Sequence, residues 1–392
     1  MKQKLFDYPL FALGFRPFFI LAGLSALFLM LLWNAILHGK ITAHPYYPGA
    51  YWHAHEMLIG YSAAVIAGFL LTAVKNWTGL ETVTGGKLAG LCLLWLYGRI
   101  VPFYADTLPG WLCALIDWAF LPVLAYQLSI VIIAVKQPRN LIFIGLLAMM
   151  ALGNALMHAD LLGFTSKTAD NGLQLIIATI IFLILVIAGR VFPFFTERGL
   201  QGFIAIRNQQ IDGLAIAAAL SVFCLQLIDV SGTWLALAAI AAAVLNGLRM
   251  SGWYTQRIWY VPLLWILYTG YAWIIIGFVL TALAAYNLVA GDLALHAFTL
   301  GGIGVLTLGM MARVALGHTG RALKASNTIA IAFVLLNLAA AARVLLPAAI
   351  QSSSALFIYA ATLLWLGAFA LFLAVYLPVL TQPRIAENNG SS

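Results

Sequence analysis

Long apolar runs, separated by short polar breaks, repeat along the whole chain of 392 residues. An α-helix needs about 20 apolar residues to cross roughly 30 Å of hydrocarbon. Twelve runs approach this length, so the pattern predicts an all-α integral membrane protein with twelve transmembrane helices. The predicted segments are 18–38, 52–74, 88–105, 111–135, 140–162, 170–192, 211–230, 233–249, 258–284, 291–316, 327–347 and 354–380.

The runs follow one another without a long polar insertion, which predicts a single polytopic membrane domain over residues 1–392. Residues 1–17 form an amphipathic N-terminal segment that we expect on the membrane surface before the first span. The twelve-helix bundle occupies 18–380, and residues 381–392 form a cytoplasmic tail. The first apolar run lacks an obvious cleavage site and is read as retained, not as a removed signal peptide.

Composition supports this class, since 64% of the residues are hydrophobic and 8% are charged. An average soluble domain has about 25% charged residues. The three cysteines, Cys92, Cys113 and Cys224, lie in apolar runs and form neither a metal-binding nor a disulfide pattern. The net charge of +8 is attributed to cytoplasmic loops and not to nucleic-acid binding.

The positions of the lysines and arginines predict the orientation. With the N-terminus in the cytoplasm, all but four of the 20 basic residues fall toward the cytoplasmic side. The four exceptions are Lys40, Arg99, Lys167 and Arg343. Both termini are therefore predicted inside, in agreement with an even number of spans.

Four histidines occupy predicted helix ends at a similar depth on the outer side: His53, His55, His158 and His296. One such histidine alone is explained by a solvated ring at the interface. Ionisable residues within spans are costly, imidazole is the commonest metal ligand, and helical bundles build haem and metal sites from facing helices. The four together therefore predict a metal or haem centre in the outer half of the bundle.

The segment YWHAHEMLIGY (51–61) contains two of these histidines and Glu56. On a regular helix His53 and His55 point to nearly opposite sides, whereas Glu56 shares the face of His53. Two adjacent sites are one interpretation. The other is a frayed helix end at which His53 is a loop residue.

Predicted helices 2 and 10 carry a short internal echo. HEMLIG begins at His55 and HAFTLG begins at His296, and each helix ends in Thr-Gly 23 residues after its histidine. Both helices run inward with the histidine at the outer end, as an axial pair for haem requires. His318, at the end of helix 10, is predicted either to bind a second haem or to cap the helix.

Two arginines lie in the predicted outer half, Arg99 in helix 3 and Arg343 in helix 11. Buried arginines need anionic partners. Haem propionates are one choice, and the outer carboxylates are the other. Those carboxylates are Asp106, Asp117 and Asp160.

The strings WHAHEMLIGYSAAVIAGFLLTAVKNWTG, GRVFPFFT (189–196) and MARVALGHTGR (311–321) resemble the NnrS family over essentially the whole chain. This resemblance implies a bacterial inner-membrane protein that contains haem b and copper and takes part in nitric oxide metabolism or nitrosative stress. A more distant likeness is to the catalytic subunits of haem–copper oxidases and nitric oxide reductases. It implies a haem–copper-oxidase-like bundle with haem ligands on helices 2 and 10.

That likeness assigns the haem to His55 and His296. The superfamily takes its copper ligands from helices 6 and 7, which contain no histidine in this chain. Copper is therefore assigned to His53 and His158, with Glu56 or His44 as the third ligand, and Glu56 is also the candidate catalytic residue. Copper accepts imidazole readily, and three ligands leave an open position.

The predicted function is therefore reduction of nitric oxide to nitrous oxide, with electrons from quinol or a periplasmic redox protein. The first alternative is a non-catalytic protein that binds nitric oxide, haem or copper as a sensor or protector of metal centres. The second is a transporter whose substrate contacts the histidines. Inverted repeats with broken helices at the midplane would favour transport, and Pro122 and Pro193 do not occupy paired positions of that kind.

Overall fold

The computed structural model describes residues 8–41, 46–350 and 354–385. Within these ranges the chain is helical and contains no strand. Twelve helices of 16 residues or more are present in the described part. They are α1 (Phe15–Leu37), α2 (Ala50–Thr78), α3 (Gly85–Ile100), α4 (Gly110–Ala134), α5 (Leu141–Leu161), α6 (Thr168–Gly199), α7 (Gln209–Leu227), α8 (Thr233–Ser251), α9 (Pro262–Ala284), α10 (Gly291–His318), α11 (Asn327–Ala349) and α12 (Ser354–Thr381).

Eleven of the helices in the described ranges are long and apolar enough to cross a membrane. The remaining one, α3, has 16 residues and continues into a 3₁₀ turn at Val101–Tyr104. Pro102 lies in this turn and cannot donate a backbone hydrogen bond to continue the α-helix. The membrane class is confirmed, whereas the count of twelve spans and the orientation stay predictions.

Several helix ends differ from the predicted segments. α1 begins at Phe15 and not at residue 18, because Pro17 is tolerated in the first turn of a helix. A 3₁₀ turn at Pro9–Phe11 precedes it. Because α1 begins at Phe15, the last three residues of the predicted segment 1–17 belong to the helix. α6 continues through Pro193 to Gly199. Predictions for 1–7, 42–45, 351–353 and 386–392 fall outside the described residues.

A π-helical segment interrupts both α2 and α10. It covers Glu56–Ser62 in α2 and Ala297–Gly304 in α10, and in each case it starts directly after the histidine of the internal echo. Single π-helical segments within α-helices are rare and occur frequently at functional sites. The echo therefore extends from the sequence to the backbone.

Contacts divide the described chain into two compact units. The first comprises the residues up to Ile176, Met311–Leu323, and those from Phe369 onward; the second comprises Ile177–Met310 and Lys324–Ala368. In the first unit, α2 packs closely on α1: a Cβ at Gly68 would lie 2.9 Å from the Phe19 ring. Only glycine permits this approach without displacing the ring.

The second unit has a buried polar network of its own. The Arg249 guanidinium donates to Asp212 (2.6 Å), to the Leu185 carbonyl (2.9 Å) and to the Tyr271 hydroxyl (3.2 Å). Tyr271 in turn donates to the Asn246 amide oxygen at 2.6 Å. These bonds join α6, α7, α8 and α9 and compensate the desolvated charge of Arg249.

Candidate metal centre

Four neighbouring helices of the first unit bring their polar side chains together. His55 lies six residues into α2, Asp117 lies eight residues into α4, and His158 is in the last turn of α5. Arg99 is the penultimate residue of α3. At about 1.5 Å per residue these side chains are within roughly two turns of a helix end. The cluster contains two of the four histidines that the sequence places at predicted helix ends, His55 and His158.

Asp117 is the common partner in this cluster. Its Oδ2 lies 3.0 Å from His55 Nε2 and 2.8 Å from His158 Nε2. The same oxygen accepts a hydrogen bond of 2.9 Å from Asn154 Nδ2. His55, Asp117 and His158 are 0, 1 and 4% exposed. They form the one group of three metal-capable side chains found in the described part of the chain, with ligand atoms within 4.8 Å of one another.

The other ring nitrogen of each imidazole, Nδ1, also has a partner. His55 Nδ1 lies 3.1 Å from Glu56 Oε1, and His158 Nδ1 lies 2.8 Å from the Tyr46 hydroxyl. Histidines that bind metals usually have the second ring nitrogen fixed in this way by a carboxylate or another oxygen. The ring orientation that such a site needs is therefore already set by hydrogen bonds.

Two consecutive tyrosines of the loop before α2 cover the cluster. The Tyr47 ring stacks on His55 with centroids 4.5 Å apart, and its hydroxyl lies 3.2 Å from His55 Nε2. Burial raises the pKa of Tyr47 well above the ordinary value for tyrosine, and burial likewise raises the pKa of Tyr46. Both hydroxyls consequently remain protonated and can donate.

Arg99 holds the two carboxylates. Its Nη1 donates to Glu56 Oε1 at 2.9 Å, and its Nη2 contacts Asp117 Oδ1. Asp117 is one of the carboxylates that the sequence offered as a partner of Arg99, whereas Glu56 is not. Propionate binding by Arg99 stays a prediction. One guanidinium balances one of the two carboxylates, so the cluster carries a formal charge of −1 when both imidazoles are neutral.

The hydrogen-bonding pattern makes this imbalance specific. A neutral imidazole has one N–H and one lone pair. If His55 donates from Nδ1 to Glu56, its Nε2 lone pair faces the oxygen of Asp117. A hydrogen bond from the Tyr47 hydroxyl (3.2 Å) satisfies part of this lone pair; a second proton on His55 or a metal cation between the groups would remove the repulsion. A buried uncompensated charge costs several kcal/mol, so a cation is the natural complement.

Three buried atoms of this cluster have no hydrogen-bond partner in the described residues: Glu56 Oε2, Arg99 Nε and Asp117 Oδ1. Asp117 Oδ1 does have the ion-pair contact with Arg99 Nη2. Glu56 is 2% exposed, and its Oε2 accepts no hydrogen bond from the described residues. A Cβ at Gly60, one π-helical turn later, would lie 2.9 Å from this oxygen. Glycine therefore leaves room for the carboxylate, and Glu56 Oε2 has space to accept a hydrogen bond.

The donor set fits a metal ion better than a haem. Two imidazoles and one carboxylate suit first-row transition metals, with copper at the top of the affinity order. An axial haem ligand needs an open ring nitrogen facing a planar macrocycle. Both nitrogens of His55 are engaged by protein groups and Tyr47 covers its ring. His55 thus does not fit a haem as it is packed here.

The other predicted site residues lie elsewhere. His53 stacks on Trp33 with centroids 4.7 Å apart and is outside the metal-capable group, so the structure pairs His158 with His55 and not with His53. His44 lies outside the described residues. His318, the last residue of α10, is near Phe15 and Asn76.

In the second unit, His296 Nδ1 donates to the Asp292 carbonyl at 2.7 Å. Arg343 donates to the carboxylate of the same aspartate at 3.1 Å. Asp292 was not among the carboxylates that we considered as partners of Arg343. These three residues form a small group of their own at the start of α10.

Sequence analysis missed four members of the cluster: Asp117, as a ligand, and Asn154, Tyr46 and Tyr47. Two of these had a signal. Asp117 is a lone charge in the apolar run LCALIDWAF, and Asn154 precedes His158 by four residues on one helix face. The two tyrosines had none, because interfacial tyrosines are common in membrane proteins.

These features define a class: a polytopic helical membrane protein with a buried group of two histidines and one aspartate, in a cluster of net negative charge. The family model described as NnrS protein matches residues 9–384 of the chain. The chain therefore belongs to the NnrS family, a bacterial membrane family linked to nitric oxide and to haem or metal binding. No match was found among curated proteins.

Proposed function

We propose that this protein holds a copper ion at His55, Asp117 and His158 and uses it in the response to nitric oxide. The observation that carries the proposal is the convergence of two imidazole nitrogens on one carboxylate oxygen, at 3.0 and 2.8 Å, in a fully buried cluster of formal charge −1. A bound cation would neutralise this negative charge. Glu56 and Tyr46 orient the two imidazoles, and Arg99 holds both carboxylates in place.

The activity that we propose is reduction of nitric oxide, 2 NO + 2 H⁺ + 2 e⁻ → N₂O + H₂O. His55, Asp117 and His158 would hold the copper ion, which would supply the redox chemistry and would accept nitric oxide as a further ligand. Nitric oxide is small and weakly polar, so it can reach a buried centre through the bilayer. Glu56 Oε2, which lacks a hydrogen-bond partner in the described part of the chain, accepts and delivers protons. The electrons come from quinol or a periplasmic redox protein.

One observation favours a second candidate, a protein that binds nitric oxide or metal without turnover. Closed coordination is typical of structural metal sites, whereas catalytic sites keep access for substrate. The three candidate ligands are at most 4% exposed, and Tyr47 covers His55. A sensor or protector of other metal centres would need no wider access than this.

Haem b remains part of the proposal for the protein, with a changed expectation for its ligands. The pairing of His55 with His296 stays a prediction, but the contacts of His55 support a metal ion there. His296 is the better haem ligand, because its Nδ1 is fixed by a backbone carbonyl and its Nε2 has no protein partner within the described residues. We propose location in the bacterial inner membrane, from family membership and the apolar helices.

Metal analysis and nitric oxide consumption test these proposals together. The protein is purified in detergent, loaded with copper and washed, and its metal content is measured by mass spectrometry. We expect one copper per chain, lost in His158→Ala and retained in His53→Ala. Dithionite-reduced protein is then assayed with a nitric oxide electrode and by gas analysis for nitrous oxide. Copper without consumption supports the non-catalytic candidate, and copper content unchanged in His158→Ala refutes the site.

A further inference from the structure

A second polar site lies in the first unit, away from the residues of the metal centre. It is a cavity of about 450 Å³ bounded by the start of α1, the ends of α2 and α10, and the chain that follows α12. Its polar lining consists of Arg16, Thr72, Lys75, Asn76, His318 and Arg384. These helix ends belong to the side that the arginine and lysine distribution predicts as cytoplasmic.

The charge of this cavity is one-sided. Three of its lining side chains are cationic, and none of its lining residues in the described part of the chain is acidic. Lys75 pairs with Glu81 at 2.8 Å, but the Glu81 side chain is 67% exposed and solvent screens such a pair strongly. The cavity therefore keeps an excess of positive charge.

Arg16 is the buried member of the set. It is 3% exposed, and its Nη1 donates to the carbonyls of Leu380 (2.9 Å) and Gln382 (2.6 Å). Its Nε is buried and has no hydrogen-bond partner in the described residues. Arg321 donates from Nη2 to the Gln382 side chain. Its buried Nη1 likewise has no hydrogen-bond partner in the described residues.

A purely structural role explains part of this arrangement. Arg16 satisfies carbonyl groups at the C-terminal end of α12, which have no partner within that helix. This role accounts for Nη1 but leaves the Nε donor unexplained. It also gives no reason for Lys75 and Arg384 to face the same space.

We propose that this cavity binds a phosphate group. A phosphate has three strong acceptor oxygens and a charge between −1 and −2, and guanidinium groups match its geometry. Arg16, Lys75 and Arg384 supply charge, and Asn76 and His318 supply further hydrogen bonds. Basic pockets between transmembrane helices at the cytoplasmic side bind phospholipid head groups. The phosphate therefore belongs either to an anionic lipid or to a soluble ion.

The test compares the unaltered protein with Lys75→Gln/Arg384→Gln. The matched control is Lys87→Gln/Lys324→Gln, which removes the same charge from exposed positions outside the cavity. Asn76→Asp is a second variant, which adds a negative charge at an exposed position on the cavity wall. Copper content is measured in every variant and is expected to stay unchanged, which separates this site from the metal centre.

Two measurements distinguish the sources of phosphate. In detergent, inorganic phosphate is titrated against the thermal unfolding midpoint at constant ionic strength. In nanodiscs of phosphatidylglycerol or phosphatidylcholine, retained lipid is identified by native mass spectrometry. In one of these arms we expect binding that weakens about tenfold or more in the double variant and in Asn76→Asp, but not in the control.

Stabilisation by inorganic phosphate identifies a soluble ligand, and retained phosphatidylglycerol identifies a lipid head group. The proposal is overturned if neither ligand binds the unaltered protein. It is also overturned if the control variant loses binding as much as the cavity variants, because the effect would then come from net charge alone.

Discussion

The histidines of the internal echo have the same local structure and different surroundings. His55 and His296 each end a short α-helical stretch and precede a π-helical segment. His55 is buried, and both of its nitrogens face side chains from other helices or the next residue. His296 is half-buried and bonds to a carbonyl of its own helix. The two histidines thus share a backbone setting, whereas the neighbouring residues determine which groups each imidazole contacts.

Removing the two histidines separately should give the largest contrast. His55→Ala removes a ligand and should abolish stoichiometric copper binding, which is a greater loss than the 10–100-fold effect of an outer hydrogen bond. His296→Ala should retain copper and lose haem absorbance. Metal content and the reduced optical spectrum measure both. Equal copper loss in the two variants would contradict this distinction.

The arginine beside each histidine should differ in its contribution to stability. Arg99→Met leaves Glu56 and Asp117 buried without their cation and should destabilise the fold by about 3–5 kcal/mol. Arg343→Met breaks a pair whose aspartate is 50% exposed, so we expect at most about 1 kcal/mol. Thermal unfolding in one detergent compares the two. A larger loss in Arg343→Met would show that the second unit depends on that pair.

The residue after each histidine sharpens the comparison, because Glu56 follows His55 and Ala297 follows His296. Glu56→Gln keeps the size of the side chain and removes the charged acceptor for His55 Nδ1. We expect copper affinity to fall about 10–100-fold, measured by competition with a chelator. Glu81→Gln, at an exposed carboxylate, is the control and should leave the affinity unchanged.

Tyr46→Phe should have the smallest effect, a loss in copper affinity of about tenfold or less, because the His158 ring keeps its packing. Burial raises the pKa of Tyr46. Its phenol therefore stays protonated above neutral pH, and ionisation of this group contributes no pH dependence between about pH 7 and 9. The affinity ratio between the two proteins should be constant over that range. A ratio that falls toward 1 at pH 9 would show that the phenol ionises.

The helices and half of the residues of the candidate centre could be predicted from the sequence. His55, His158, Glu56 and Arg99 all had a visible signal, because ionisable groups stand out in an apolar run. The sequence alone could not predict whether His53 or His55 lies next to His158. The pairing depends on Trp33 occupying the face of His53, and on Tyr47 reaching His55 across a loop.

The amino-acid sequence by itself determined the membrane class and the order and approximate limits of the helices. These properties follow from hydrophobicity and length, which are local. Only the tertiary structure decided that Asp117 joins His55 to His158 and that Arg16, Lys75 and Arg384 share one cavity. Those associations join residues up to several hundred positions apart. They depend on which helix faces pack together, and a run that is apolar on all sides carries little information about that choice.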